Sequence, residues 1–243
     1  MARKTPKYGK SLLESSNSST KLFKFLMSKY AVNNLGTQAY EETWKLQQEY
    51  FSDALAAKKE GRSVESKVLY VEHPPVFTLG KSADKNNILL SEDILGAPVF
   101  RIERGGDVTF HGPGQLLIYP IIDLEQFNMN LREYVYNMEE VIIRSIAEFG
   151  LEGSRSDGAS GVWLDVGTPQ ERKIAALGVK ASRHITMHGL AFNINTDLSW
   201  FQKINPCGFL DKGVTNLAIE LNEKQDYKAV CAIVKREFEL IFK

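Results

Sequence analysis

Cysteine is nearly absent from this chain: 243 residues contain two, Cys207 and Cys231, 24 positions apart. Two such residues make neither a disulfide framework nor a zinc-ligand set, so the composition points to a reducing compartment. Long apolar runs are missing too. None approaches the roughly 18 residues that a membrane-spanning helix needs, so the sequence reads as soluble. An excess of charge is also lacking, because 30 basic residues balance 30 acidic ones. That argues against the broad positive field of a nucleic-acid binder. What is present is a hydrophobic fraction of 43 %, enough for a sizeable core in a chain of this length.

Charge is nevertheless uneven. The first thirty residues carry seven basic side chains against one acidic, with six serines. This stretch reads as a disordered, basic lead, with a mitochondrial targeting segment as the alternative to a cytoplasmic protein. The remainder, 31–243, reads as one catalytic domain. From Thr37 a helical pattern runs through "AYEETWKLQQEYFSDALAAKK" to Gly61. Short strand-like runs follow at 67–73, 76–80, 99–103 and 116–122. A second helix, "LREYVYNMEEVIIRSIAEFG", puts Val135, Met138, Ile142 and Ile146 on one face. Three more strand-like runs, 161–166, 173–180 and 188–195, precede a last helix, "YKAVCAIVKREFELIF". The irregular interleaving, with several hairpins in place of repeated βαβ units, predicts an α+β or mixed α/β fold: a mixed sheet flanked by helices. In the last helix Cys231 sits among Val230, Ile233 and Val234, as a small buried hydrophobe would.

Residues 103–115, "ERGGDVTFHGPGQ", are the densest run of special residues. Paired glycines allow a backbone to approach a ligand closely or to take positive φ. The phosphate-binding loop pattern is absent and the dinucleotide fingerprint does not fit, so no nucleotide site is expected. His184 and His188 have the spacing of a helical zinc pair. In the alternating stretch "RHITMHGLAFNIN", however, they would share a strand face about 13 Å apart, too far for one metal. No metal site is expected. Cys207, in "INPCGF", lies on a turn, where a thiol is either incidental or chemical. A nucleophilic cysteine needs a cation or dipole to lower its pKa. Lys173 and Lys180, on preceding strands, are both candidates, and the residues alone do not choose between them.

Three collinear segments resemble one family. "RGGDVTFHGPGQLLIYPI", "RKIAALGVKASRHITMHGLAFNIN" and "INPCG" are similar to the lipoyl(octanoyl) transferases, and the likeness extends over about residues 32–242. The resemblance implies a biotin/lipoate protein ligase-like fold and transfer of an octanoyl group from acyl carrier protein to a lysine of lipoyl domains, those of 2-oxoacid dehydrogenase E2 subunits and of the glycine cleavage H protein. It implies Cys207 as the nucleophile that becomes an acyl thioester, and it selects Lys173 as the residue that lowers the thiol pKa and shuttles protons. It implies substrate binding by Arg104, Gly105, Gly106, Asp107, Val108, Thr109, Phe110 and His111, by Ala176, Leu177 and Gly178, and by Gly189, Leu190 and Ala191. It implies no metal or nucleotide cofactor, with phosphopantetheine entering as part of the carrier substrate, and a monomer that meets neither nucleic acid nor membrane. The acidic carrier calls for a basic approach surface, for which Arg101, Arg104, Lys180, Arg183 and Lys203 are candidates. The loop "DVGTPQER" before Lys173 is longer than the family leads one to expect, and the basic lead has no counterpart there. Two rivals stand beside this reading: an ATP-dependent lipoate or biotin ligase with no use for Cys207, and a non-catalytic carrier-protein binder.

Overall fold

The computed structural model describes residues 29–90, 92–205 and 213–243. Strand β1 (Tyr30–Thr37) leads into helix α1 (Tyr40–Lys59), followed by β2 (Ser66–Glu72), β3 (Val76–Leu79), the single turn α2 (Glu92–Leu95) and β4 (Val99–Arg101). Next come β5 (Val108–His111), β6 (Gln115–Ile121), helix α3 (Leu131–Ala147), β7 (Ser154–Ser156) and β8 (Ala159–Leu164). The long antiparallel pair β9 (Arg172–Ser182) and β10 (Ile185–Asn193), then β11 (Gly213–Val214), α4 (Leu217–Glu220) and α5 (Tyr227–Ile241) complete the chain.

The larger sheet has the order β1-β2-β6-β10-β9-β8-β7, with β11 added alongside β9. Its pairs are antiparallel except β1 with β2 and β11 with β9. The smaller sheet has the order β4-β3-β5. Mixed pairing with flanking helices is the α+β arrangement that the interleaved pattern predicts.

Alternation along the strands sorts side chains onto two faces. Leu116, Ile118, Leu190 and Phe192 join Met138, Ile142, Val234 and Phe238 beneath α3 and α5. Leu117, Tyr119, Met187 and Ala191 pack with Phe51, Ala54 and Ala57 of α1 on the other face. Helix α1 fits this role because its buried residues, Tyr40, Thr43, Gln47, Phe51, Ala54 and Ala57, recur every three or four positions. Helix α3 begins with a capping box: Asn130 Oδ1 accepts from the amides of Arg132 and Glu133, and the Glu133 carboxylate accepts from the Asn130 N–H at 2.8 Å. Asp226 caps α5 in the same sense, accepting from the Lys228 and Ala229 amides.

Residues 112–114 carry the chain from the smaller sheet to the larger one: β5 pairs with β3, whereas β6 pairs with β2 and β10. The glycine-rich segment is therefore a crossing between sheets, and the cavity opens beside it. Strand β1 has no counterpart among the sequence-based expectations. "YAVNNLGT" lacks a strand pattern and forms because β2 offers a parallel partner.

Candidate active site

A cavity of about 510 Å³ lies between the 104–111 segment and the β9–β10 pair. Its lining includes Arg104, Gly105, Gly106, Asp107, Val108, Thr109 and His111 from the first motif. From the second it includes Lys173, Ala176, Leu177, Gly178, Gly189, Leu190 and Ala191. Two motifs separated by some sixty residues of chain, from His111 to Lys173, thus share one hollow. Cys207 and Gly208 lie outside the described residues. Phe110 does not face this cavity. Strand alternation turns it to the opposite side of β5, where its ring stacks on Trp200 at 5.0 Å and contacts Phe77, in the core of the smaller sheet.

Small residues make the close packing possible. Gly105 N–H donates to the Val179 carbonyl at 2.9 Å, laying the first motif directly on β9. A Cβ on Gly178 would come within 2.8 Å of the Gly105 carbonyl oxygen, so only glycine allows this backbone contact. At Gly189 a Cβ would collide with the Ile118 carbonyl across the β6–β10 pair.

Arg104 is buried at 8 % exposure, and its guanidinium is used internally. Nη2 donates to the Thr78 carbonyl (2.8 Å), Thr78 Oγ1 (3.0 Å) and the Asp107 carbonyl (2.7 Å), and Nη1 donates to the Gly105 carbonyl (2.9 Å). This corrects its place on a basic approach surface, since a guanidinium surrounded by backbone carbonyls organises the loop. Lys180 pairs with Glu103, and Lys203 donates to the Leu95 carbonyl at 2.8 Å beneath Trp200. Those two are likewise engaged within the fold.

Lys173 projects over the Trp163 ring, with Nζ 4.4 Å from its centroid. Its positive charge is felt by Glu139 on α3, whose carboxyl is nonetheless raised above the usual range because burial outweighs its Gly161 amide, Arg155 and Lys173 partners. The alternative, Lys180, stands seven residues further along β9 and is tied to Glu103.

Three histidines are held neutral at this site by burial. His111 is pushed down to about 3, with His73 and Arg104 adding to the effect of burial. His73 is pushed down to about 4, and His188 to about 3 with Arg104 and Lys180 as further causes. His73 Nε2 meets Tyr119 Oη at 3.1 Å and its Nδ1 meets the Gln38 carbonyl at 2.7 Å. The carbonyl requires the hydrogen on Nδ1, so Tyr119 donates to Nε2. Tyr40 stacks on His111 with centroids 6.2 Å apart.

His184 and His188 do not share a strand face. β10 begins at Ile185, and Arg183 and His184 form the left-handed turn before it, with His184 Nδ1 3.0 Å from Glu125. His188 is itself left-handed, at φ 62. Alternation would send its ring toward α3 and α5 with Leu190. Instead the ring lines the cavity, and the peptide N–H donates to Gln47 Oε1 of α1 at 3.1 Å. Among the described residues the His188 ring makes no hydrogen bond, and no three His, Cys, Asp or Glu side chains gather as a metal set. Sequence reasoning also passed over Tyr40 and Thr78, which carry no motif signal, and over Gln115 and Asn193, which stand inside the first and second motifs but were given no role. Cys231 is partly buried against the α3–α5 core, and burial pushes its thiol up to about 11, which makes it unreactive near neutral pH.

The family model for the lipoyl protein ligase A/B catalytic domain matches residues 39–239. An octanoyltransferase of Porphyromonas gingivalis is 51 % identical over 220 residues, 89 % of this chain and 44 % of that protein. This chain therefore spans less than half the length of that relative. An octanoyltransferase of Bacteroides thetaiotaomicron is 50 % identical over 188 residues, 76 % of this chain and 83 % of that one. Among solved structures, the bipartite lipoate protein ligase of Thermoplasma acidophilum superposes with a TM-score of 0.65 at 16 % identity, covering 88 % of this chain and 84 % of its own. That likeness is one of fold, and it is the lipoate ligase arrangement that the motifs imply. With its family model spanning most of its length and relatives at half identity, the chain belongs to the lipoyl protein ligase A/B catalytic domain family.

Proposed function

We propose that this chain is an octanoyltransferase that moves an octanoyl group from acyl carrier protein to the ε-amine of a lysine on a lipoyl domain, through a thioester on Cys207. The acceptors would be the lipoyl domains of 2-oxoacid dehydrogenase E2 subunits and of the glycine cleavage H protein, met in the cytoplasm. The Cys207 thiolate attacks the octanoyl carbonyl. The bond from that carbon to the pantetheine sulfur breaks, and the departing thiolate takes a proton from the Lys173 ammonium. The neutral amine of the target lysine then attacks the Cys207 thioester, passes a proton to Lys173 and releases the Cys207 thiolate as the amide forms.

Exchange of one thioester for another is nearly isoenergetic, so this route draws on neither nucleotide nor metal. An ammonium about 4 Å from a sulfur, at an effective dielectric of about 20, attracts the thiolate by about 4 kcal/mol, more than enough to lower a thiol pKa by one unit. Among the described residues that line the cavity, Arg104 is spent on backbone carbonyls and the histidines are neutral, so Lys173 is the cation suited to this task.

The observation that carries the reading is the cavity itself: a hollow of about 510 Å³ whose lining includes Ala176, Leu177, Leu190 and Ala191 together with Lys173. Small apolar residues leave space for an eight-carbon chain. The curated relatives named octanoyltransferase support the same chemistry.

The test is intact-mass analysis after incubation with octanoyl-acyl carrier protein. An adduct of about 126 Da on Cys207 is expected from acyl transfer. Cys207→Ala should take up nothing, and Cys231→Ala should behave as the parent does. Modification of a lipoyl domain by free octanoate and ATP without carrier, and with no Cys207 adduct, would instead establish a ligase.

A further inference from the structure

One buried hydrogen-bond chain links the first motif to the strand that carries Lys173, and its direction is fixed at both ends. Arg104 can only donate, and it gives Nη2–H to Thr78 Oγ1 at 3.0 Å. The Thr78 hydroxyl hydrogen is then left for His111 Nε2, 3.3 Å away. At the far end the Thr215 carbonyl can only accept, so it faces the amide nitrogen of Asn193, at 3.0 Å. That turns Asn193 Oδ1 toward Gln115 Nε2, at 2.8 Å. The Phe110 carbonyl also accepts from Gln115 Nε2, at 3.2 Å, which fixes the same amide orientation independently. Gln115 Oε1 is therefore an acceptor, and the 2.8 Å contact with His111 requires the hydrogen on Nδ1.

Each donor in the series thus points the same way: Arg104 to Thr78, Thr78 to His111, His111 to Gln115, Gln115 to Asn193, Asn193 to Thr215. The Thr215 N–H then donates to the Lys173 carbonyl at 2.9 Å. Thr78, His111, Gln115, Asn193 and Thr215 are all buried, so each lost link would strand a polar atom away from water. The placement matters as much as the polarity. β10 ends at Asn193, and beyond it β11 takes over pairing with β9, opposite Arg172 and Lys173. Asn193 stands at that handover. Thr215 is held from its other side by Glu220, which accepts from the Thr215 hydroxyl and from Arg172, each at 2.5 Å. Gly213, where β11 starts, is six residues after Cys207 in the sequence.

We infer that Gln115 and Asn193 are positioning residues, which relay the neutral His111 tautomer to β11 and hold the backbone of Lys173 in the register that its partnership with the nucleophile needs. The inference rests on the Cys207 and Lys173 reading above. His111 acts here as a connector of fixed tautomer, and Gln115 and Asn193 act through Lys173 without touching the reacting atoms.

The test is the pH dependence of alkylation by iodoacetamide in the full chain, followed by peptide mass so that Cys207 and Cys231 are separated. In the parent protein Cys207 should titrate well below an ordinary thiol. Asn193→Leu and Gln115→Met introduce no charge. Each should raise the Cys207 midpoint by about one pH unit and lower kcat at least tenfold, with KM for the octanoyl donor changed less than about threefold. The double variant should shift the midpoint no further than either single change, because one chain is broken once. A folded single variant that keeps the parent midpoint, or singles whose shifts add, would overturn the positioning role. A parent midpoint near about 8.5 would overturn the Cys207 and Lys173 reading along with it, and the parent alone reveals that case.

Discussion

The two walls of the cavity are built on opposite plans. The 104–111 wall is dense in polar groups, and these are satisfied internally, by Arg104 on three backbone carbonyls and His111 between Thr78 and Gln115. The β9–β10 wall contributes Ala176, Gly178, Gly189 and Ala191, and does its work by omission. The first wall sets position, because hydrogen bonds are directional. The second sets volume, because a missing Cβ is space for either a ligand or a neighbouring backbone. Residues on the two walls should therefore respond to substitution in different ways.

Among single substitutions, the largest effect is expected where omission is complete. Gly189→Val would drive a side chain into the Ile118 carbonyl and against Pro120, a clash with backbone that rotamer change cannot relieve. A loss of about 3 kcal/mol or more in urea unfolding is expected. A smaller loss would mean that β6 and β10 can part at this point.

The polar wall should show itself through pH. His73, His111 and His188 have folded pKa values of about 4, 3 and 3, below the ordinary 6.5. Between those values the unfolded chain binds more protons than the folded one, so stability rises with pH through this window and is lost as pH falls below about 6.5. At pH 5 each ring should cost about 2 kcal/mol relative to neutral pH. Unfolding free energy measured from pH 7 to 5 should drop accordingly, and His73→Gln should remove about a third of the slope. A flat profile would show that these rings are not held neutral by the fold.

The smallest effect joins the two walls. His188 occupies a left-handed backbone conformation in mid-strand, so His188→Gly should be more stable than His188→Ala by about 1 kcal/mol, against the usual order in a strand. Equal stabilities would mean that the positive φ carries no cost at this position.

The same contrast explains what could be read from the sequence. Helices α1, α3 and α5 announce themselves through apolar periodicity and end signals, and all three form close to the expected bounds. Strands β2, β3, β4, β6, β8, β9 and β10 follow from alternating or apolar runs between turn residues. The convergence of the first and second motifs on one cavity was legible through the family resemblance. Phe110 was not, because a motif treats neighbouring residues alike whereas a strand sends Thr109 and Phe110 to opposite sides. Nor was the burial of Arg104, since a guanidinium in a sequence carries no sign of the carbonyls that will surround it. His188 escaped the alternation argument because one left-handed residue re-aims a ring that the period-two pattern sends elsewhere.

By itself, the order of residues determined the three long helices and most of the strands, the family and the chemical groups present, since these depend on local periodicity and on side-chain identity. Only the tertiary structure decided which groups remain neutral, which lysine carbonyl Thr215 holds, and which way Gln115 and Asn193 donate. Hydrogen-bond direction and desolvation arise when segments far apart in the chain exclude water from one another, and no local stretch of sequence contains that information.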